Sequence, residues 1–155
     1  MADQARKDQI VEGLKQAYWM ELEAAINFIA CSINPDGVRA AEIKQSLAGD
    51  VVAEIGHAQA VAARIKELGG TVPGSQGFEP TQTSLQPPED STDIVSVIRG
   101  VIDVEGAVIE LYNRVIALCD GVDYVTQDLC IRCLADEETH KVEFEGFLKE
   151  YETRG

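Results

Sequence analysis

The chain has 155 residues, 45% of them apolar, and a formal net charge of −14. Its length and apolar content predict one globular domain over residues 1–155 with a sizeable core, not a disordered chain. The charge argues against nucleic acid or anionic membrane as a partner, since phosphates would be repelled. No apolar run approaches the ~20 residues that span a bilayer. The polar stretch Met1–Lys7 has no signal-peptide hydrophobic region, so the expected location is the cytoplasm.

A first helix is predicted from about Asp8 to Ala30, because Val11, Leu14, Tyr18, Glu21, Ala25 and Phe28 follow the three-and-four spacing of a core seam. Glu21 lies on that seam and Glu23 lies off it. Ser32-Ile33-Asn34-Pro35-Asp36-Gly37 is a turn signal. A second helix is predicted from Val38 to Leu68, with Gly69-Gly70 as its stop. Residues 71–90 lack periodicity and are rich in Pro, Gly, Ser and Thr. A connection that long inside a compact domain calls for a reason, and a crossover from one end of a helix bundle to the other supplies one. A third helix begins near Ser91-Thr92-Asp93, with Ser or Thr as its N-cap, and ends at Asp120-Gly121. Its seam is Ile94, Ile98, Val101, Glu105, Val108, Tyr112, Ile116 and Cys119. A fourth helix runs from Asp123 to Tyr151 along Cys130, Cys133, Glu137, His140, Phe144, Phe147 and Tyr151. The fold class is therefore all-α, a four-helix bundle with a long crossover between helices 2 and 3.

Two turns break the apolar seams in the same way. Glu54-Ile55-Gly56-His57 and Glu137-Glu138-Thr139-His140 each place a carboxylate and an imidazole one helical turn apart, on one face. One Glu-x-x-His is common, and alone it reads as surface decoration or a satisfied core histidine. Here each copy has a seam glutamate matched to it in level. The midpoint of Glu21 and Glu54 falls at the Pro35-Asp36-Gly37 turn, and that of Glu105 and Glu137 falls on Gly121. The two hairpins thus share one plan, like an internal duplication.

Glu21, Glu54, His57, Glu105, Glu137 and His140 are therefore expected to meet. Four carboxylates bring about −4 into a core, and two divalent cations would cancel it. Oxygen and imidazole donors without thiolate suit iron or manganese, and zinc is compatible. Bridging carboxylates would hold two metals ~3.5–4 Å apart. Glu138 and Asp136 point off the seam and are expected in solvent. Tyr18, Trp19 and Tyr112 are read as core packing, although Tyr18 lies one turn before Glu21 and could bond a ligand. Cys130-x-x-Cys133 stands alone inside a helix, so its cysteines, with Cys31 and Cys119, read as small buried hydrophobes.

These residues resemble the ferritin-like diiron family, and bacterioferritins most closely. The likeness is carried by Met20-Glu21-Leu22, Glu54-Ile55-Gly56-His57, the Asp123-Tyr124-Val125-Thr126-Gln127-Asp128 stretch and Asp136-Glu137-Glu138-Thr139-His140. It implies Glu21 and His57 on one iron, Glu105 and His140 on the other, and Glu54 and Glu137 bridging. It also implies a diiron ferroxidase that oxidises Fe(II) with O2 or H2O2 for iron storage and detoxification, in a homo-oligomer. The methionine that holds haem in bacterioferritins is replaced by Ile55, and the remaining methionines are Met1 and Met20, so no haem of that type is expected. Fifteen residues follow His140, enough to complete the fourth helix but not a fifth. The expected assembly is a dimer, a 12-subunit cage or another cage. Two other readings are a diiron or dimanganese protein that consumes peroxide without storing iron, and a non-catalytic metal-binding bundle.

Overall fold

The computed structural model describes residues 2–154, so Met1 and Gly155, the ends of the predicted unit, lie outside the described residues. It contains four long helices, α1 Ala2–Ile33, α2 Ala41–Glu67, α3 Ile94–Cys119 and α4 Tyr124–Arg154, and no strand among the described residues. One turn of 3₁₀ helix, Val38–Ala40, leads into α2, and another, Ser75–Gly77, lies in the crossover. No described helix is long and apolar enough to cross a membrane.

The boundaries differ from the expectations where packing stops informing them. Helix α1 starts at Ala2 and not Asp8. The extra turn is exposed, so it carries no periodicity, but Gln4, Ala5, Arg6 and Lys7 are good helix formers, and Gln4 Nε2 donates to Asp8 Oδ1 at 2.9 Å. The N-cap of α3 is Asp93, whose side chain accepts from Ser96 N. At the end of α2, Gly69 takes φ +85. The Gly70 N–H donates to Ile65 O and the Gly69 N–H to Lys66 O, which is the Schellman pattern and needs a left-handed residue.

Helix α1 packs on α2 and α3, and α3 packs on α4. The buried apolar residues form two clusters. One holds Phe28, Cys31, Ile43, Leu47, Ile98, Val101 and Phe144. The other holds Ile10, Leu14, Val61, Ile65, Leu111, Tyr112, Val115, Cys119 and Cys130. In every helix the residues between the clusters are the six acids and histidines predicted above. Apolar packing thus lies above and below that level.

The crossover is an ordered strap fastened to α1. Glu23, off the seam but buried, accepts the Thr81 and Gln82 N–H groups at 3.0 and 2.7 Å. Gln82 Nε2 donates to Met20 O, and Asn27 Nδ2 donates to Gln82 Oε1. Leu85 enters the first cluster, against Gly100, where a Cβ would lie 2.4 Å from Ser84 O. Tyr18 and Trp19 are half-buried under the strap: Tyr18 packs against the second cluster while its Oη donates to Pro73 O, and Trp19 lies tilted against Phe78. The strap ends where Asp36 N donates to Ser91 O, at the turn between α1 and α2.

Candidate metal centre

Each helix contributes at one level. Glu21 comes from α1, Glu54 and His57 from α2, Glu105 from α3, and Glu137 and His140 from α4. The four glutamates are fully buried and His57 is 8% exposed. Two sets of donor atoms form, each with all its atoms within 4.8 Å of one another. One is Glu21, Glu54, His57 and Glu137; the other is Glu54, Glu105, Glu137 and His140. Glu54 and Glu137 belong to both.

The imidazoles share an orientation. His57 Nδ1 faces inward, 2.8 Å from Glu137 Oε1 and 3.3 Å from Glu21 Oε2. His140 Nδ1 lies 3.5 Å from Glu54 Oε1 and 3.9 Å from Glu137 Oε2. Tyr112 Oη donates to Glu21 Oε1 at 3.1 Å. Both oxygens of Glu54, both of Glu105, Oε2 of Glu137 and Nδ1 of His140 are buried with no hydrogen-bond partner. Unpaired buried polar atoms are rare because each costs about 1–3 kcal/mol, more when charged.

Four carboxylates in one dry volume cannot all ionise without counter-charge. Burial, then the Glu54 and Glu137 carboxylates, push Glu21 well above the usual carboxylate range. Burial and the closeness of Glu137 raise Glu105 strongly. Glu137 goes the other way: burial opposes its charge, but the Glu105 carboxyl and the His57 imidazole beside it outweigh burial. Burial acts against a charged His57, yet hydrogen bonds to Glu137 and Asp136 lift it to about 10. Glu54 lifts His140 to about 9, against burial and with help from Asp50. The upward shifts of His57, His140, Glu21 and Glu105 all favour their protonated forms, which offsets the carboxylate charge.

Three further residues reach the centre that were not among its expected members. Asp136 is mostly exposed, as expected, but is not merely solvated: its Oδ2 lies 2.8 Å from His57 Nε2. Asp50 lies 3.5 Å from His140 Nε2. Tyr112 is core, as read, and also a hydrogen-bond donor to the site. Asp50 was findable, since it precedes Glu54 by four residues and so shares its face. Glu138 is exposed. The four cysteines are free and buried, and neither donor set includes one. Burial pushes the Cys119 thiol up to about 11 and Cys130 higher, which keeps both protonated.

A four-helix bundle with carboxylates and imidazoles gathered at mid-height is the architecture of the ferritin-like proteins. The chain matches the ferritin family, described as a ferritin-like domain, over residues 11–153, and it belongs to that family. It is similar to the bacterioferritin of Desulfovibrio desulfuricans, 28% identical over 142 residues that cover 91% of this chain and 75% of that protein. The X-ray structure of that bacterioferritin, which records its diiron site in different catalytic states, superposes with a TM-score of 0.82 at 25% identity, covering 99% of this chain and 85% of the other. A dodecameric thioferritin, the bacterioferritin-related protein of Bacteroides fragilis, shares the fold with a TM-score of 0.81 at 21% identity, over 95% and 88% of the two chains.

Proposed function

We propose that the chain is a ferroxidase, oxidising Fe(II) with O2 or H2O2 at a dinuclear centre and serving iron storage, detoxification and homeostasis. The observation that carries this reading is the pair of donor sets joined through Glu54 and Glu137. The fit to metal rests on the orphaned oxygens of Glu54, Glu105 and Glu137 and on Nδ1 of His140, which lack a hydrogen-bond partner. Oxygen and imidazole donors without thiolate suit iron, and manganese and zinc take the same ligands.

In this reading Glu21 and His57 hold one ion, Glu105 and His140 the other, and Glu54 and Glu137 touch both. Iron is the substrate: two Fe(II) ions give the two electrons that reduce O2 to H2O2 or H2O2 to water. The chain's own part is to prepare the place. Glu21 and Glu105 surrender their protons as cations arrive, and Tyr112 fixes the Glu21 carboxylate through its O–H. Apolar clusters on either side and the full burial of the four glutamates lower the local dielectric, which strengthens the charge interactions there.

The finer features follow as proposals. The protein works in the cytoplasm as a homo-oligomer, a reading supported by the dodecamer that shares its fold. It holds no methionine-ligated haem, because position 55 is isoleucine. Stopped-flow absorbance after mixing the protein with Fe(II) and oxidant tests the activity. Wild type should oxidise iron far faster than buffer, and Glu54→Ala should remove that advantage. Oxidation at the rate of buffer would sink the proposal. Light scattering after size exclusion tests the assembly, since a dimer encloses no cavity for mineral.

A further inference from the structure

Where α2 faces α4 stands a carboxylate that the ferroxidase reading leaves without a task. Asp50 lies on α2, one turn before Glu54, with its side chain 14% exposed. Its Oδ2 is buried and has no hydrogen-bond partner. Glu54, Glu137 and Glu143 surround it, together with the His140 imidazole. Three acids repel a carboxylate, so His140 is its one favourable neighbour in that group.

The His140 ring stands between two carboxylates at equal distance. Nδ1 is 3.5 Å from Glu54 Oε1, and Nε2 is 3.5 Å from Asp50 Oδ1. The His57 ring repeats the arrangement with the helices exchanged: Nδ1 faces Glu21 and Glu137, and Nε2 faces Asp136 Oδ2 of α4. Each imidazole turns one nitrogen inward and the other toward an aspartate of the opposite helix. The internal duplication does not account for this. Asp136 directly precedes Glu137, whereas Ala53 precedes Glu54, and Asp50 stands four residues before it.

A neutral imidazole has one N–H, and the acceptor it finds decides which nitrogen keeps a lone pair. Without an outer acceptor, the His140 N–H would turn to Glu54, engaging two donor atoms of the centre at once. The geometry points to Asp50 as the positioning residue of His140: it accepts the Nε2–H, leaves the Nδ1 lone pair to a cation, and keeps Glu54 Oε1 free. The inference rests on the dinuclear reading above.

Two substitutions separate acceptor from charge. Asp50→Asn keeps a carbonyl acceptor and removes the charge, while Asp50→Leu removes both, with Asp50→Ala as its replacement should Leu not fold. Co(II) is titrated into the full chain against a competing chelator. Wild type should bind two ions per chain. Asp50→Leu should weaken one of the two about 10–100-fold, the usual cost of losing an outer partner, and Asp50→Asn should stay close to wild type. A second readout is 1H–15N NMR of the Zn(II)-loaded protein. Of the two imidazole N–H protons, one should lose exchange protection in Asp50→Leu and keep it in Asp50→Asn. Wild-type affinity and protection in Asp50→Leu would overturn the inference. So would an Asp50→Asn as weak as Asp50→Leu, since charge alone would then matter. Wild type binding fewer than two Co(II) ions would overturn the dinuclear reading itself, a pattern distinct from both.

Discussion

Cations and protons compete for the same buried atoms, and the structure says how strongly. The metal-free centre holds its protons on His57 and His140, raised to about 10 and 9, and on Glu21 and Glu105, both raised by burial among other acids. Loading two Zn(II) ions at pH 7 should therefore release about four protons per chain, because metal ligands must be deprotonated. Each proton contributes about 1.36 kcal/mol per pH unit, so four change the combined binding free energy by about 5.4 kcal/mol per unit. That is roughly a hundredfold tighter binding per ion for each unit of rising pH. Above pH 10 the imidazoles have already lost their protons, and the release should fall toward the two carboxyl protons. Isothermal calorimetry in buffers of differing ionisation enthalpy counts the protons directly. A release of two protons or fewer at pH 7 would refute the reasoning, because the carboxylates would then be ionised in the metal-free core.

The folded-state values of His57 and His140 lie above the ordinary 6.5, so the stability they add is complete below pH 6.5 and is lost as pH rises through 9 to 10. Glu21 and Glu105, also raised, add a loss that begins above pH 4.5, so melting of the metal-free protein should fall steadily from pH 5 to 10, and a flat profile would contradict this. Glu23→Ala strips the Thr81 and Gln82 N–H groups of their acceptor. It should cost about 2–4 kcal/mol, a fall of roughly 5–15 °C in Tm by circular dichroism, and Glu23→Gln should cost less. Gly100→Ala drives a Cβ to 2.4 Å from the Ser84 carbonyl, where backbone must move. Denaturant unfolding should show a loss of about 1–3 kcal/mol, against little for Gly49→Ala, where a Cβ meets nothing within 4 Å.

The sequence alone determined four helices, because each must bury one stripe and the stripe's period is written in residue order. It also determined the level of the centre. Glu-x-x-His occurs twice, each copy opposite a glutamate equidistant from its turn, and antiparallel helices joined by short turns must bring such residues together. What periodicity could not carry is contact between helices at the edge of a seam. Asp136 read as a solvent-side acid, and Asp50 drew no reading at all, because a heptad pattern describes one helix at a time. Their approach to His140 and His57 depends on the azimuth at which α2 and α4 face each other. Tyr112 looked like core and is core, but its O–H direction is set by Glu21 from another helix. The strap was legible only as a reach across the bundle. Its anchor is Glu23 accepting backbone N–H groups, which every residue but proline offers, so no side-chain motif announced it. Only the tertiary structure could decide where those donors fell.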